Sequence, residues 1–551
     1  MNIQKIIPQN INQQSFTGVS ETAFEVGSTA LRFLDTNQAW GANAVDLCSM
    51  VIPRTTVDFV NRGPDAGTET ARRESMGTIN HSMVGVYGTA AGFALANLFN
   101  KKYGIRADKI FANDQTVDIL ANYWSEARKA SNDKSVYIKK FTDKVAENIK
   151  FFNTTKDSEK GYITMSKEAR EKFSEALSQK LINSNSETID KDFQKYLHTL
   201  MVSDTGAETK VVLEGHNIHA ENSLKTLISN VYNLSKSFME KSVDDVFKSD
   251  GASNTFIKGL KAFNLKRSVV GLGIAITIGM LTQPINIYLT KKKTGSDGFV
   301  GVPGREKDTS ADFKFLKLAG FTTFALGAIS TITTNPKKLL SKIQFQGMTP
   351  TVSQLKLVYG LTIASRLLAA RDKDELRESA VKDSLGFLNL LVLGSLVTKG
   401  VARVLDKSLI NSTTEASGNF FKWLTNSSLK TRDEILYSHL KEKGIQTVKD
   451  GKAIPFKELI KLADKTTKGK LKVLNISQIA GYLYSGLVLG VGVPKLNIYM
   501  TNKSEAKRKA RLAAQEHIGN KNLNQFENLV KPENIDFLSN VSTQRNFIKN
   551  S

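Results

Sequence analysis

SVVGLGIAITIGMLTQPINIYLT, residues 268–290, is the stretch on which the reading of this chain turns. It contains no Asp, Glu, Lys or Arg, yet Lys266 and Arg267 precede it and Lys291, Lys292 and Lys293 follow it. A helix needs about 20 mostly apolar residues to cross the hydrocarbon of a bilayer. Charges that stop at both ends of such a run sit where the headgroups are. Three further charge-free runs share the pattern, 75–100, 318–336 and 473–494. Together they predict an all-α fold, a polytopic helical membrane protein of about four spans.

The competing expectation is a soluble α-helical scaffold with buried core helices, because these runs are rich in Gly, Ser, Thr and Asn. Small residues recur at four-residue spacing: Gly88, Gly92 and Ala96; Gly271, Ala275 and Gly279; Gly486 and Gly490. That spacing puts them on one face, where membrane helices need close backbone approach to associate. A fifth run, 384–398, is the most apolar but only fifteen residues long, which suits a buried or interfacial helix better than a span. Residues 357–370 carry Arg366 near their middle and read as amphipathic.

Two echoes hint at a duplicated membrane unit, as in folds built from repeats. Pro284-Ile-Asn-Ile-Tyr-Leu-Thr290 returns as Pro494-Lys-Leu-Asn-Ile-Tyr-Met-Thr501, and Arg73-Glu74-Ser75 returns as Arg377-Glu378-Ser379. Tyr288 and Tyr499 are expected at headgroup depth, beside Lys291, Lys292 and Lys293 in one case and Lys507, Arg508 and Lys509 in the other. The loop 291–317 and the segment 503–511 are both strongly basic and both favour the cytoplasmic face. Four spans place them there together with the N-terminus; five would separate them. Four are therefore expected, with 384–398 not crossing and Lys337 and Lys338 left on the outer side.

The chain then divides into a polar N-terminal segment (1–74), a first span (75–100) and a soluble helical domain (101–265). A span pair with a basic, Gly-containing loop (266–336) follows, then an amphipathic helical region (337–472). The last span (473–494) leads to a basic tail (495–551). Within 101–265, apolar residues recur at helical spacing over 117–127, 136–151, 169–182 and 224–247. Residues 430–466 read as a small helix–β-hairpin–helix element, with Asp450-Gly451 as the turn.

Lys and Arg outnumber Asp and Glu by 76 to 53, giving a formal charge of +23. That balance suits anionic lipid or nucleic acid. The basic residues are spread along the chain and gather beside the apolar runs, so nucleic acid is not expected. The single cysteine, Cys48, excludes an internal disulfide and reads as a small buried hydrophobe. His216 and His219, with Glu214 and Glu221, are the nearest approach to a metal shell, but Gly215 argues against the helix such a pair would need. Arg54, Asp58, Arg62, Asp65, Glu69, Arg72, Arg73 and Glu74 read as a solvated linker with local ion pairs. Residues 298–304 lack the Lys-Ser/Thr of a phosphate loop and read as a flexible connector. The N-terminal residues lack the apolar core of a signal peptide. Ser15–Gly18 resembles a short N-terminal tag of bacterial proteins, too short to assign a family.

The expectation is thus an integral protein of a bacterial inner membrane with cytoplasmic termini, a structural or interaction role and no cofactor. No catalytic motif is recognisable. The bilayer itself, anionic at the basic flanks, is the expected partner, with a homo-oligomer or protein partner as a further one. Membrane transport or lipid handling is the alternative, weakened by runs that hold no ionisable residue except His81.

Overall fold

A computed structural model describes residues 11–36, 38–152, 162–206, 210–302, 304–412, 423 and 427–529 of the chain. α1 (Ile11–Thr36) and α2 (Gln38–Asp46) lead through a π-helical turn (Leu47–Val51) into α3 (Ile52–Arg62). Gly63, at φ +87°, reverses the chain, and Pro64 opens α4 (Pro64–Tyr103) where a missing N–H is tolerated. α4 ends at Gly104 in the left-handed conformation.

A polar body follows. It holds α5 (Asp114–Ala130), α6 (Lys134–Asn148), α7 (Lys167–Asn183), α8 (Lys191–Thr205), α9 (Leu224–Phe238) and α10 (Lys241–Asp250). Side chains of Asn113, Asp133, Ser166, Asp190 and Ser223 cap five of these helices. The helices surround an antiparallel sheet of β1 (Ile149–Phe152), β2 (Tyr162–Thr164), β3 (Lys210–Glu214) and β4 (His219–Ser223) in the order β2-β1-β3-β4. Trp124, Phe141, Phe173 and Phe238 fill its core. The all-helical expectation for 101–265 is corrected here: the helical spacing of 136–151 runs on into β1, whose pairing with β2 and β3 overrides it.

α11 (Thr255–Thr294) is capped by Asn254 and stopped by left-handed Gly295. α12 (Ala311–Ser330), α13 (Pro336–Lys342) and α14 (Val352–Ala369) come next, then α15 (Lys373–Leu388), a π turn (Asn389–Leu393) and α16 (Gly394–Leu405). A small subdomain pairs β5 (Ile410–Ser412) with β6 (Ser427–Leu429). It then forms α17 (Arg432–Glu442), a hairpin of β7 (Val448–Lys449) and β8 (Lys452–Ala453), and α18 (Phe456–Leu462). The hairpin turns at Asp450 and Gly451, both with positive φ. α19 (Lys465–Tyr484) passes through a third π segment (Ser485–Gly492) into α20 (Val493–Leu529).

The long helices form one bundle with two unlike ends. α4 and α11 are antiparallel, tied by Lys293–Asp65 at 2.7 Å at one end and by the tilted contact of the Phe99 and Phe256 rings at the other. A Cβ on Gly271 would lie 2.7 Å from the Gly88 Cα, so the two backbones touch there. α12 runs antiparallel to α14, with Phe313 beside Leu367 and Ala328 against Gly360. α15–α16 and α19–α20 complete the pair of halves. The loop after α11, the start of α15 and α20 meet at the basic end through Arg305, Asp374 and Glu505. The polar body and the small subdomain meet at the other end, where Lys441 reaches the Asp204 carbonyl and Ser203 bonds Thr447.

Among the described residues, five helices are long and apolar enough to cross a membrane: those spanning Pro64–Tyr103, Thr255–Thr294, Ala311–Ser330, Lys373–Leu405 and Lys465–Glu516. Residues 384–398 therefore belong to a continuous helix of span length, because the chain stays helical on both sides of the run. α14 runs the length of the same bundle but is largely buried inside it, which lets it carry Arg366. This sixth helix brings the loop 291–317 and the segment after residue 501 to one end, so an odd number of apolar helices does not separate them.

The described N-terminal helix starts at the opposite end, contrary to expectation. Ser28 bonds Asn475 and Asp35 accepts from Gln478, so α1 runs parallel to α19, and α3 reaches the basic end only at Arg62.

Candidate functional site

The bundle exposes large apolar side chains on its outer faces and buries a cluster of charged ones within. Phe93, Leu98, Phe315 and Leu487 are among the large apolar side chains exposed on its helices. Arg54, Glu69, Arg73, Glu74, Arg366, Arg371, Lys382 and Asp383 are buried. The residues from Arg54 to Glu74, expected to form a solvated linker before the first apolar run, lie in α3 and the start of α4 and are largely packed into this cluster, which corrects that expectation. Removing such charges from water is costly, and only a connected set of partners offsets it.

The connections run across both halves. Arg62 donates to Glu378 at 2.5 and 2.9 Å, and Arg366 Nη1 lies 3.3 Å from Glu74 and 3.2 Å from Asp383. Arg54 Nη1 sits 3.7 Å from Glu74, and Lys382 Nζ sits 3.3 Å from it. Nearer the basic end, Arg371 binds Glu69 and Glu375, and Arg72 donates to Asn286 and Thr290, both at 2.8 Å. Arg377 donates to Thr501 at 2.7 Å. The Asn-x-x-x-Thr of each echoed Pro motif thus meets the Arg-Glu-Ser region of its own half, since Asn497 also donates to the Glu378 carbonyl at 3.3 Å.

Arg305 closes this end over the loop. It bonds Asp372 at 2.8 Å and Asp374 and Glu505 at 2.6 Å each. Burial opposes its charge, but the three carboxylates outweigh that and hold its pKa above the ordinary arginine value. The Arg508 hydrogen bond, with Arg305 adding to it against partial burial, pulls Glu505 down to about 2. The described part of the expected connector, 298–302, is not loose: Phe299 and Val302 are buried, and the Phe299 ring lies 5.4 Å from the Arg62 guanidinium carbon.

Above the charged cluster lies a cavity of about 580 Å³. Asp46, His81, Tyr359 and Asn389 line its inner part, Asp35, Gln478 and Tyr482 its wall, and Lys399, Lys430 and Arg432 lie toward the subdomain, Lys399 donating to the Ser427 carbonyl. The three π segments among the described residues all border it: Met50, Asn389 and Ser485 line it from one each. A π turn widens a helix locally and is frequent at functional sites. Thr78 donates to Asp46, Asn389 bonds Ser485 at 3.1 Å, and the His81 and Tyr359 rings meet edge-on at 4.8 Å.

Tyr288 and Tyr499 are exposed on the bundle surface near the basic end, 64% and 62% open. Lys291 pairs with Asp297, Lys293 with Asp65 and Arg508 with Glu505, while Lys292, Lys507 and Lys509 are exposed. Of the small residues, Gly92 faces Arg267, Gly279 faces Thr362, and Gly490 faces the Ser49 carbonyl; Gly486 lies near Ser49 and Ala275 is fully buried. His219 sits across from Glu214 in the β3–β4 pair, with His216 in the turn between, and the described residues hold no cluster able to bind a metal. Cys48 is exposed on its π turn, not buried.

Asp46, Asn389, Gln478 and Tyr359 were not singled out from the sequence. The one available signal was Arg366: a charge in an apolar stretch calls for a carboxylate partner inside the same bundle. No protein-family model matches this chain, and neither a curated protein nor a solved structure matches it.

Proposed function

We propose that this is an integral membrane protein that moves a polar solute across the bilayer through the cavity between its two halves. The observation that carries the reading is the cavity itself: roomy enough for a small molecule, lined by carboxylate, imidazole and amide groups, and set among helices whose outer faces are apolar. The exposed apolar belt supports the membrane; the buried charges supply what the apolar runs alone lacked. A purely structural or interaction role gives the cavity no use. In this reading the basic end faces the cytoplasm of a bacterial inner membrane, with Tyr288, Tyr499 and the lysines of the tail against anionic headgroups.

The test is reconstitution of the full chain into liposomes, followed by uptake of radiolabelled amine, amino acid, sugar and carboxylate probes. Time-dependent accumulation of at least one class is expected, and Ser395→Trp, at an open position of the cavity lining, should abolish it. Uptake no greater than in empty liposomes for every class would overturn transport.

A further inference from the structure

Resting on the transport reading, the cavity's open valences say what kind of molecule it takes. Two buried side-chain atoms of its described lining lack any hydrogen bond, His81 Nε2 and Gln478 Oε1. Gln478 turns its amide nitrogen to Asp35 at 2.9 Å and to the Tyr482 hydroxyl at 2.7 Å. A carboxylate only accepts, so the opposite atom of that amide is fixed as an oxygen and can only accept. His81 is 5% exposed and lies one turn along α4 from Thr78, whose hydroxyl donates to Asp46. A neutral imidazole offers one acceptor nitrogen.

The charges follow the same pattern. Asp35 is engaged by Arg432, whereas Asp46 has a hydroxyl partner and no ion pair within 4.0 Å among the described residues. Arg54 and Arg366 lie beneath it but are held by Glu74 and Asp383. What the inner cavity lacks is a donor carrying positive charge. We propose that it binds an organic cation bearing a protonated amine, with Asp46 as counter-ion, His81 Nε2 accepting one N–H and Gln478 Oε1 serving a further donor along the wall. Tyr359, Met50 and Leu355 bound the space left for the apolar part of such a molecule. Lys399, which donates to the Ser427 carbonyl of β6, and Lys430 lie toward the subdomain, and they keep the cation's preferred place at the inner end.

The probe is butylammonium, with butyrate and butanol as charge controls, added to the detergent-purified full chain. Butylammonium should raise the melting temperature while both controls leave it unchanged, because a ligand that binds only the folded state stabilises it. Asp46→Asn, which keeps the shape and the acceptor for Thr78, should lose that shift. Butylammonium should also protect Asp46 of the unaltered protein from modification by a hydrophobic carbodiimide, read by peptide mass spectrometry, which needs no variant to fold. A shift that survives in Asp46→Asn, a larger shift with butyrate, or absence of protection would each overturn the assignment. Liposome uptake separates the two readings: amine binding without flux sinks transport alone, and flux of another solute without amine binding sinks this site alone.

Discussion

The Arg62 guanidinium reaches across the bundle to Glu378, and Arg366 reaches back to Glu74. Arg366 lies as far beyond Arg62 in the chain as Glu378 lies beyond Glu74, so the two contacts are one contact made twice with the halves exchanged. Each half runs the same course: a helix toward the basic end, one back, a polar insertion, and a return. α3, α4 and α11 make the first; α14, α15–α16 and α19–α20 make the second, with α12 between them.

This reciprocity predicts matched losses. Glu74→Gln and Glu378→Gln each strand a buried guanidinium, and breaking a buried pair costs about 3–5 kcal/mol. Both should lower the thermal stability of the purified protein. Arg62→Glu combined with Glu378→Arg should recover part of the loss, measured by a double-mutant cycle. Additive effects would show that Arg62 and Glu378 do not act as a pair.

Gly271 is the closest point between α4 and α11. Gly271→Leu drives a side chain into the Gly88 backbone and should destabilise by about 1–3 kcal/mol. Ile274→Ala, on the exposed face of the same helix, should change little in detergent. Equal melting temperatures for the two variants would deny that the contact is tight.

Sidedness follows from the meeting of Arg305 with Glu505. In a Cys48→Ser background, single cysteines at Ser296 and Lys509 should react with an impermeant reagent from one side of sealed vesicles. A cysteine at Ser131, in the polar body, should react from the other. Labelling of all three from one side would contradict the bundle's arrangement. Ile274→Arg should impair insertion by roughly 2.5–3.5 kcal/mol, seen as a smaller membrane fraction.

In the polar body, burial chiefly pushes His198 down to about 4 from 6.5, with Asp433 opposing that and Arg32 and Lys225 adding to it. The unfolded chain therefore binds the proton more readily. Its contribution to stability is complete above 6.5 and is lost as the pH falls through about 4. Protection factors for hydrogen exchange in α8 and α17, taken relative to the intrinsic rate at each pH, should fall between pH 7 and 4, and less so in His198→Asn. Indifference of both proteins to pH over that range would exclude His198 as the cause.

The apolar runs were legible as long helices because their length and absence of charge stand in the letters themselves, as at 268–290. α14 was not, because a helix surrounded by protein escapes that rule: Lys356 and Arg366 hide it. The hairpin at Asp450-Gly451 was legible from local turn chemistry, whereas β1 and β2 were not, since their pairing joins segments whose own patterns are weak. Asp46 and Gln478 stood in unremarkable stretches, and only the folded bundle brings them to one cavity. The echoes at Arg73 and Arg377 were visible as letters; the exchange of partners between halves needed the structure.

Arg366 also sets a calendar for the making of this protein. In the membrane reading, an arginine carried into the bilayer without a partner is costly, and α14 has modest apolar surface to set against it. Its partner Glu74 is 292 residues upstream, so the ribosome has already delivered it when α14 emerges. The early half therefore serves as the receptacle that the late half must find. A truncated message encoding only the later helices should yield a chain whose α14 stays out of the bilayer and is cleared by proteolysis, whereas supplying the early half from a second message should rescue it.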